Sequence, residues 1–108
     1  MIGVLTSPEY LKDIQKALSI EPVFIKIGEY DQEEILSHCR ALVQVSLQQI
    51  IIDLDCVEEE SDIVQGIRLI RIQKPQARII VIATDRQPGN DTLSKIVALG
   101  VHDLVVPK

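Results

Sequence analysis

The stretch QQIIIDLD (Gln48–Asp55) carries three isoleucines in a row and ends on a carboxylate. QKPQARIIVIAT (Gln73–Thr84) repeats the plan, with the unbroken run Ile79-Ile80-Val81-Ile82-Ala83 ending on a hydroxyl. Neither run alternates between apolar and polar residues, as a strand with one wet face would. Both are too short for a helix and rich in β-branched residues, which suit the pleated sheet. A strand that is apolar throughout is covered on both faces, and that is the signature of a parallel sheet with helices on either side.

Read outward from these two strands, the rest of the chain alternates in the same way. Ile2–Leu5 reads as a first strand. Ser7-Pro8-Glu9 follows as a helix start, with Ser at the N-cap and Pro at the first helical position. Leu11, Ile14, Ala17 and Leu18 then fall on one helical face, and Pro22 ends the element. Val23–Ile27 is strand two. Asp31 and Glu34 stand at capping-box spacing ahead of a helix whose stripe is Ile35, Leu36, Cys39, Leu42 and Val43. Ile50–Ile52 is strand three, and a carboxylate-rich loop spans Asp53–Asp62. A third helix turns Ile63, Val64, Ile67 and Ile70 inward and stops before Pro75. Ala77–Thr84 is strand four. After a loop over Asp85–Asp91, helix four points Leu93, Ile96 and Val97 inward, Gly100 ends it, and Val101–Val106 is strand five. Five strands separated by four helices predict a doubly wound parallel sheet with right-handed crossovers.

The 108 residues make one domain. Eleven Lys plus Arg against sixteen Asp plus Glu give a formal net charge of −5, and the aromatics number three: Tyr10, Phe24 and Tyr30. An acidic surface with few stacking rings argues against nucleic-acid binding. No apolar run approaches a bilayer span, and no basic segment precedes an apolar one at the N-terminus. Cys39 and Cys56 form no paired motif and read as reduced thiols, so the expected compartment is cytoplasmic and no membrane partner is expected.

In an open α/β sheet, ligands gather at the carboxyl ends of the strands. Those ends hold Thr6-Ser7, Gly28-Glu29, Asp53-Leu54-Asp55, Thr84-Asp85 and Pro107-Lys108. No glycine-rich phosphate loop follows a strand, and His38 and His102 fall on different elements, so neither a dinucleotide site nor a zinc site is expected. Asp53 reads in two ways: an acceptor of a phosphoryl group, or a strand-end carboxylate that caps its own loop. In the second case Asp53→Asn is expected to cost about 1 kcal/mol or less. Asp53, Asp55, Glu58, Glu59, Glu60 and Asp62 similarly read as a divalent-cation cluster or as a solvated acidic loop. Cys56 lies among these charges, which would raise its pKa.

Four fragments in order resemble the receiver domain of response regulators. They are GEYDQEEIL (Gly28–Leu36), QQIIIDLD, QKPQARIIVIAT and ALGVHDLVVPK (Ala98–Lys108), and together they cover nearly the whole chain. The resemblance implies a CheY-like, flavodoxin-like α/β fold with strand order 2-1-3-4-5 and a role in two-component signalling. It makes Asp53 the phosphoacceptor candidate and Thr84 the switch candidate. The departures are as informative. Receivers hold magnesium with two acidic residues after strand one, where this chain has Thr6-Ser7. What remains for a metal is Asp53 and Asp55. The phosphoryl-gripping Lys of strand five falls on Pro107, with Lys108 one residue late, and the aromatic switch position is Leu104.

These departures mark an atypical receiver, or pseudo-receiver: a signalling module without catalysis or cofactor that regulates an attached or partner output domain. The alternatives are a working phosphorelay receiver modified on Asp53 with magnesium, and the N-terminal receiver-like module of a MinD-like ATPase in pilus assembly. No helix follows strand five, so residues 1–108 are expected to be the N-terminal part of a longer protein. One sheet face is expected to be left bare beside helix one, lined by Ile2, Val4, Val101 and Val105, and able to support a homodimer.

Overall fold

The computed structural model describes residues 1–83, 91–101 and 103–105. Its elements run β1 (Ile2–Thr6), α1 (Leu11–Ala17), β2 (Phe24–Ile27), α2 (Gln32–Leu42), β3 (Gln49–Asp53), α3 (Asp62–Gln73), β4 (Arg78–Ile82), α4 (Asp91–Ala98) and β5 (Asp103–Val105). The five strands form one sheet in the order β2-β1-β3-β4-β5, and every neighbouring pair is parallel. This is the flavodoxin-like topology. The strand order reverses between β1 and the central strand β3.

Local chemistry explains the helix ends. Asp31 and Glu34 form the capping box: the Glu34 N–H donates to Asp31 Oδ1 at 2.9 Å, and the Asp31 N–H donates to Glu34 Oε1 at 3.3 Å. Gly100 sits at φ 87°, a left-handed conformation that suits glycine, and turns the chain out of α4. Val101 is then buried in the core before strand pairing begins. The described pairing of β5 with β4 begins at Asp103, opposite Ile80, rather than at Val101. Arg71, near the end of α3, ties this corner together. Its guanidinium donates to the carbonyls of Leu99 (3.2 Å), Pro75 (3.1 Å), Ala77 (2.8 Å) and Gly100 (3.1 Å). Four orphan carbonyls at the ends of α3 and α4 and the start of β4 thus find one planar donor.

The two faces of the sheet are covered unequally. On one, α2, α3 and α4 press Ile35, Leu42, Ile63, Ile67, Ile70 and Ile96 onto Leu5, Ile50, Ile52, Ile79 and Val81, and these side chains are all but fully buried. On the other, α1 alone packs Ile14 on Ile2, Val4 and Ile51. The bare region beside α1 exists, but its lining differs from the sequence-based expectation. Ile2 and Val4 lie beneath α1, and Val101 packs into the larger core on the opposite face. The floor of the bare region is Ile51, Ile80, Ile82 and Val105, the last 47% exposed. Val97, expected to point inward, is exposed; Leu93 and Ile96 carry the buried face of α4.

Candidate functional site

Thr6 ends β1 and Asp53 ends β3. The parallel register of these neighbours, Leu5 opposite Ile52, brings Thr6 and Ser7 alongside Asp53 at the carboxyl edge of the sheet. All three are buried, and the Asp53 side chain is 0% exposed. Burying a carboxylate is expensive unless donors replace the lost water. Here the chain supplies them itself. Oδ2 accepts the Ser7 backbone N–H at 3.1 Å and the Ser7 hydroxyl at 2.5 Å. Oδ1 accepts the Asp55 backbone N–H at 3.0 Å. Thr6 Oγ1 lies 3.4 Å from Oδ2 and 3.0 Å from the Ser7 carbonyl, and its single proton favours the nearer oxygen.

The Asp55 bond has a second consequence. Asp53 is the N-cap of a 3-10 turn over Leu54–Cys56, so β3 ends at Asp53 and the chain bends at once. The segment from Asp53 to Asp62 is therefore only partly an open loop. Leu54 and Cys56 are fully buried, and Val57 forms a parallel bridge with Tyr30. The Cys56 thiol is pushed up to about 12, by burial first and by the charge of Asp53 second, reversing the weighting that the acidic sequence context suggested. Cys39, on the buried stripe of α2, is pushed up to about 12 by burial alone. His38 packs edge-on against Tyr30, with ring centroids 4.4 Å apart, and burial and then Lys26 hold its pKa low. Leu104 is half-buried against the larger core. Thr84, His102, Pro107 and Lys108 lie outside the described residues.

Above Ser7 the carboxyl ends open into a cleft of about 530 Å³ lined by Ser7, Pro8, Glu9, Glu29, Asp55, Val57 and Glu58. Its acids are spread along its walls. Among the described residues, no three His, Cys, Asp or Glu side chains gather closely enough to hold a metal ion. The magnesium that the receiver resemblance implies does not fit this donor set. The positions that would supply two carboxylates supply Thr6 and Ser7, and the Asp53 oxygen that a cation would need already accepts two protons from Ser7.

Ser7 is the residue whose role the sequence concealed. It stands at the N-cap position ahead of Pro8, as its sequence suggests, yet its side chain makes no capping bond and is committed to Asp53. The expected adjacency of strands one and three was the signal that could have revealed it.

No family model matches the chain, and no curated protein does. Among solved structures the chain is similar to RcsB from Salmonella enterica serovar Typhimurium, determined bound to promoter rprA in the presence of the phosphomimetic BeF3−. The TM-score is 0.64 and the identity 23%, over 100% of this chain and 60% of that one. The likeness gives this chain the fold of a receiver domain. The chain spans about three-fifths of the length of that neighbour. No helix among the described residues is long and apolar enough to cross a membrane.

Proposed function

We propose that this chain is a receiver-like signalling module that acts through contact with an attached or partner output domain, and that Asp53 braces its site rather than accepting a phosphoryl group. The observation that carries this reading is the closed shell around Asp53. The carboxylate is fully buried, and the first residue after β1 gives it two hydrogen bonds where a receiver would offer acidic metal ligands. Phosphoryl transfer would require an Asp53 oxygen to reach phosphorus, with cationic groups neutralising the charge that develops on the phosphoryl oxygens. Neither condition is met by Thr6, Ser7 and the Asp55 backbone. The acidic surface, at a net charge of −5, also favours a protein contact over DNA for this domain.

A second reading, Asp53 as a working phosphoacceptor, has one observation in its favour: the residue sits at the carboxyl end of a central strand, at the point where strand order reverses. One experiment separates the two. The protein is incubated with acetyl phosphate and magnesium, and its intact mass is measured. The expected result is an unmodified chain and no magnesium-dependent change in backbone amide shifts around Ser7. A stoichiometric phosphoryl adduct, abolished by Asp53→Asn, would establish the second reading instead.

A further inference from the structure

The strand β2 is one edge of the sheet, paired with β1 alone. An edge lies in the plane of the sheet, so a helix packed on either face leaves its outer row of backbone groups unpaired. The Val23 N–H donates to the Ile2 carbonyl at 2.9 Å, toward β1. Backbone groups alternate in direction along a strand, so Phe24 and Lys26 turn their N–H and C=O groups outward. The side chains alternate too. Phe24 stands opposite Gly3 and Lys26 opposite Leu5, on the α2 side; Val23, Ile25 and Ile27 fall on the α1 side. Val23 is 52% exposed and Ile27 43%. A lysine on an edge strand usually guards it against pairing. Lys26 instead folds back over its own chain, with Nζ 5.8 Å from the centroid of the Phe24 ring.

We propose that β2 pairs antiparallel with β2 of a second copy of this chain, about a two-fold axis at Ile25. Outward-facing residues must oppose one another to exchange hydrogen bonds, which leaves few registers. Centring the pair on Lys26 sets two ammonium groups side by side. Centring it on Phe24 sets Lys26 against the partner's Pro22, which has no N–H to give. Centring it on Ile25 sets Phe24 opposite the partner's Lys26, and Lys26 opposite the partner's Phe24, and each of these pairs exchanges both of its backbone hydrogen bonds. On the α1 side Ile25 then meets the partner's Ile25, and Val23 meets the partner's Ile27. Every opposed pair is apolar with apolar or cation with ring. A strand of unrelated sequence would have to reproduce this match, whereas β2 carries it already. The contact is smaller than the roughly 1,000 Å² of a stable interface, and each copy has a net charge of −5, so the dimer is weak and salt strengthens it. The inference is independent of the chemistry at Asp53.

Sedimentation equilibrium of the intact chain from about 10 μM to about 1 mM, at low and at high salt, reads the association, and amide hydrogen exchange locates it. The expected result is a monomer at the low concentration and a growing dimer fraction at the high one, larger in high salt. Over the same range the Phe24 and Lys26 amides exchange about threefold more slowly, while the Val23 amide, already bonded to Ile2, is unchanged. Lys26→Glu acts at both ends of the pair and weakens dimerisation about tenfold. Lys26→Pro removes an outward N–H and abolishes it, with the native circular dichroism spectrum as the check that the chain still folds. A chain that stays monomeric at the highest concentration in high salt, a dimer whose protected amides lie elsewhere, or a dimer that Lys26→Glu leaves unchanged would overturn the proposal.

Discussion

Replacing Asp53 by asparagine keeps the shape of the side chain and removes half of its accepting capacity. Three protons converge on the carboxylate at fixed positions: the Ser7 N–H and O–H on Oδ2, and the Asp55 N–H on Oδ1. An amide has one acceptor oxygen and one donor group. With the oxygen toward Ser7, the amide NH2 faces the Asp55 N–H, and two donors are opposed. Turned the other way, it faces both Ser7 donors. The first orientation loses the Asp55 bond and converts two charge-assisted bonds into neutral ones. Bonds to a charged partner contribute roughly 1.5–3 kcal/mol and neutral ones roughly 0.5–1.5. Relief from burying a charge offsets part of that loss. The net cost is about 2 kcal/mol, which in a domain of this size lowers Tm by about 10 °C. That exceeds the 1 kcal/mol or less suggested by a simple loop-capping role, because the sequence shows the aspartate but not the Ser7 donors. Urea unfolding followed by circular dichroism should show a lower midpoint at an unchanged m-value. A variant as stable as the parent, or more so, would refute the reasoning. It would mean that Asp53 is a buried charge retained at a cost to stability, as expected of a reactive group rather than a brace.

Arg71→Lys keeps a positive charge but cannot span the carbonyls of Pro75, Ala77, Leu99 and Gly100. We expect a loss of about 2 kcal/mol in chemical denaturation, and a loss below about 0.5 kcal/mol would show that water satisfies these carbonyls equally well. Both thiols are pushed up to about 12 in the folded state, against 9.0 for the free group. Their folded pKa values being raised, the stabilisation linked to them is fully present below pH 9 and is lost as the pH climbs from 9 toward 12, where only the unfolded chain releases those protons. At pH 8 a thiol reagent should therefore label Cys39 and Cys56 only after denaturant is added; rapid labelling of the native protein would contradict the burial of either residue.

Fold and site were legible to different depths, for physical reasons visible in particular residues. The continuous runs around Ile51 and Ile80 announce a parallel sheet with apolar residues on both faces, although only one face of β4 is fully buried here. The capping residues Asp31 and Glu34 act within one turn of helix, so sequence neighbours suffice to read them. Strand five was harder to place. Val101 carries the right residue type and is buried in the core, but it directly follows the left-handed turn at Gly100, and the described ladder begins at Asp103. The lining of the bare face was misassigned because period-two alternation says which residues share a face, not which of them a neighbouring helix covers. Ile2 and Val4 share a face with the exposed floor and yet lie under α1.

The site was the least legible part because its central bond joins residues 46 positions apart. Ser7 followed by Pro8 has every local mark of an N-cap, and a hydroxyl committed to Asp53 leaves no trace in its own neighbourhood. Only the adjacency of β1 and β3 makes the connection. The same geometry links the fold to its proposed use. A receiver edge built for phosphoryl chemistry needs an exposed carboxylate, free acceptor lone pairs and a bound cation. Here Ser7 gives two protons to one carboxylate oxygen, the side chain is buried, and the Asp55 backbone N–H gives one to the other oxygen. The role proposed above therefore rests on contact surfaces of the domain rather than on chemistry at Asp53.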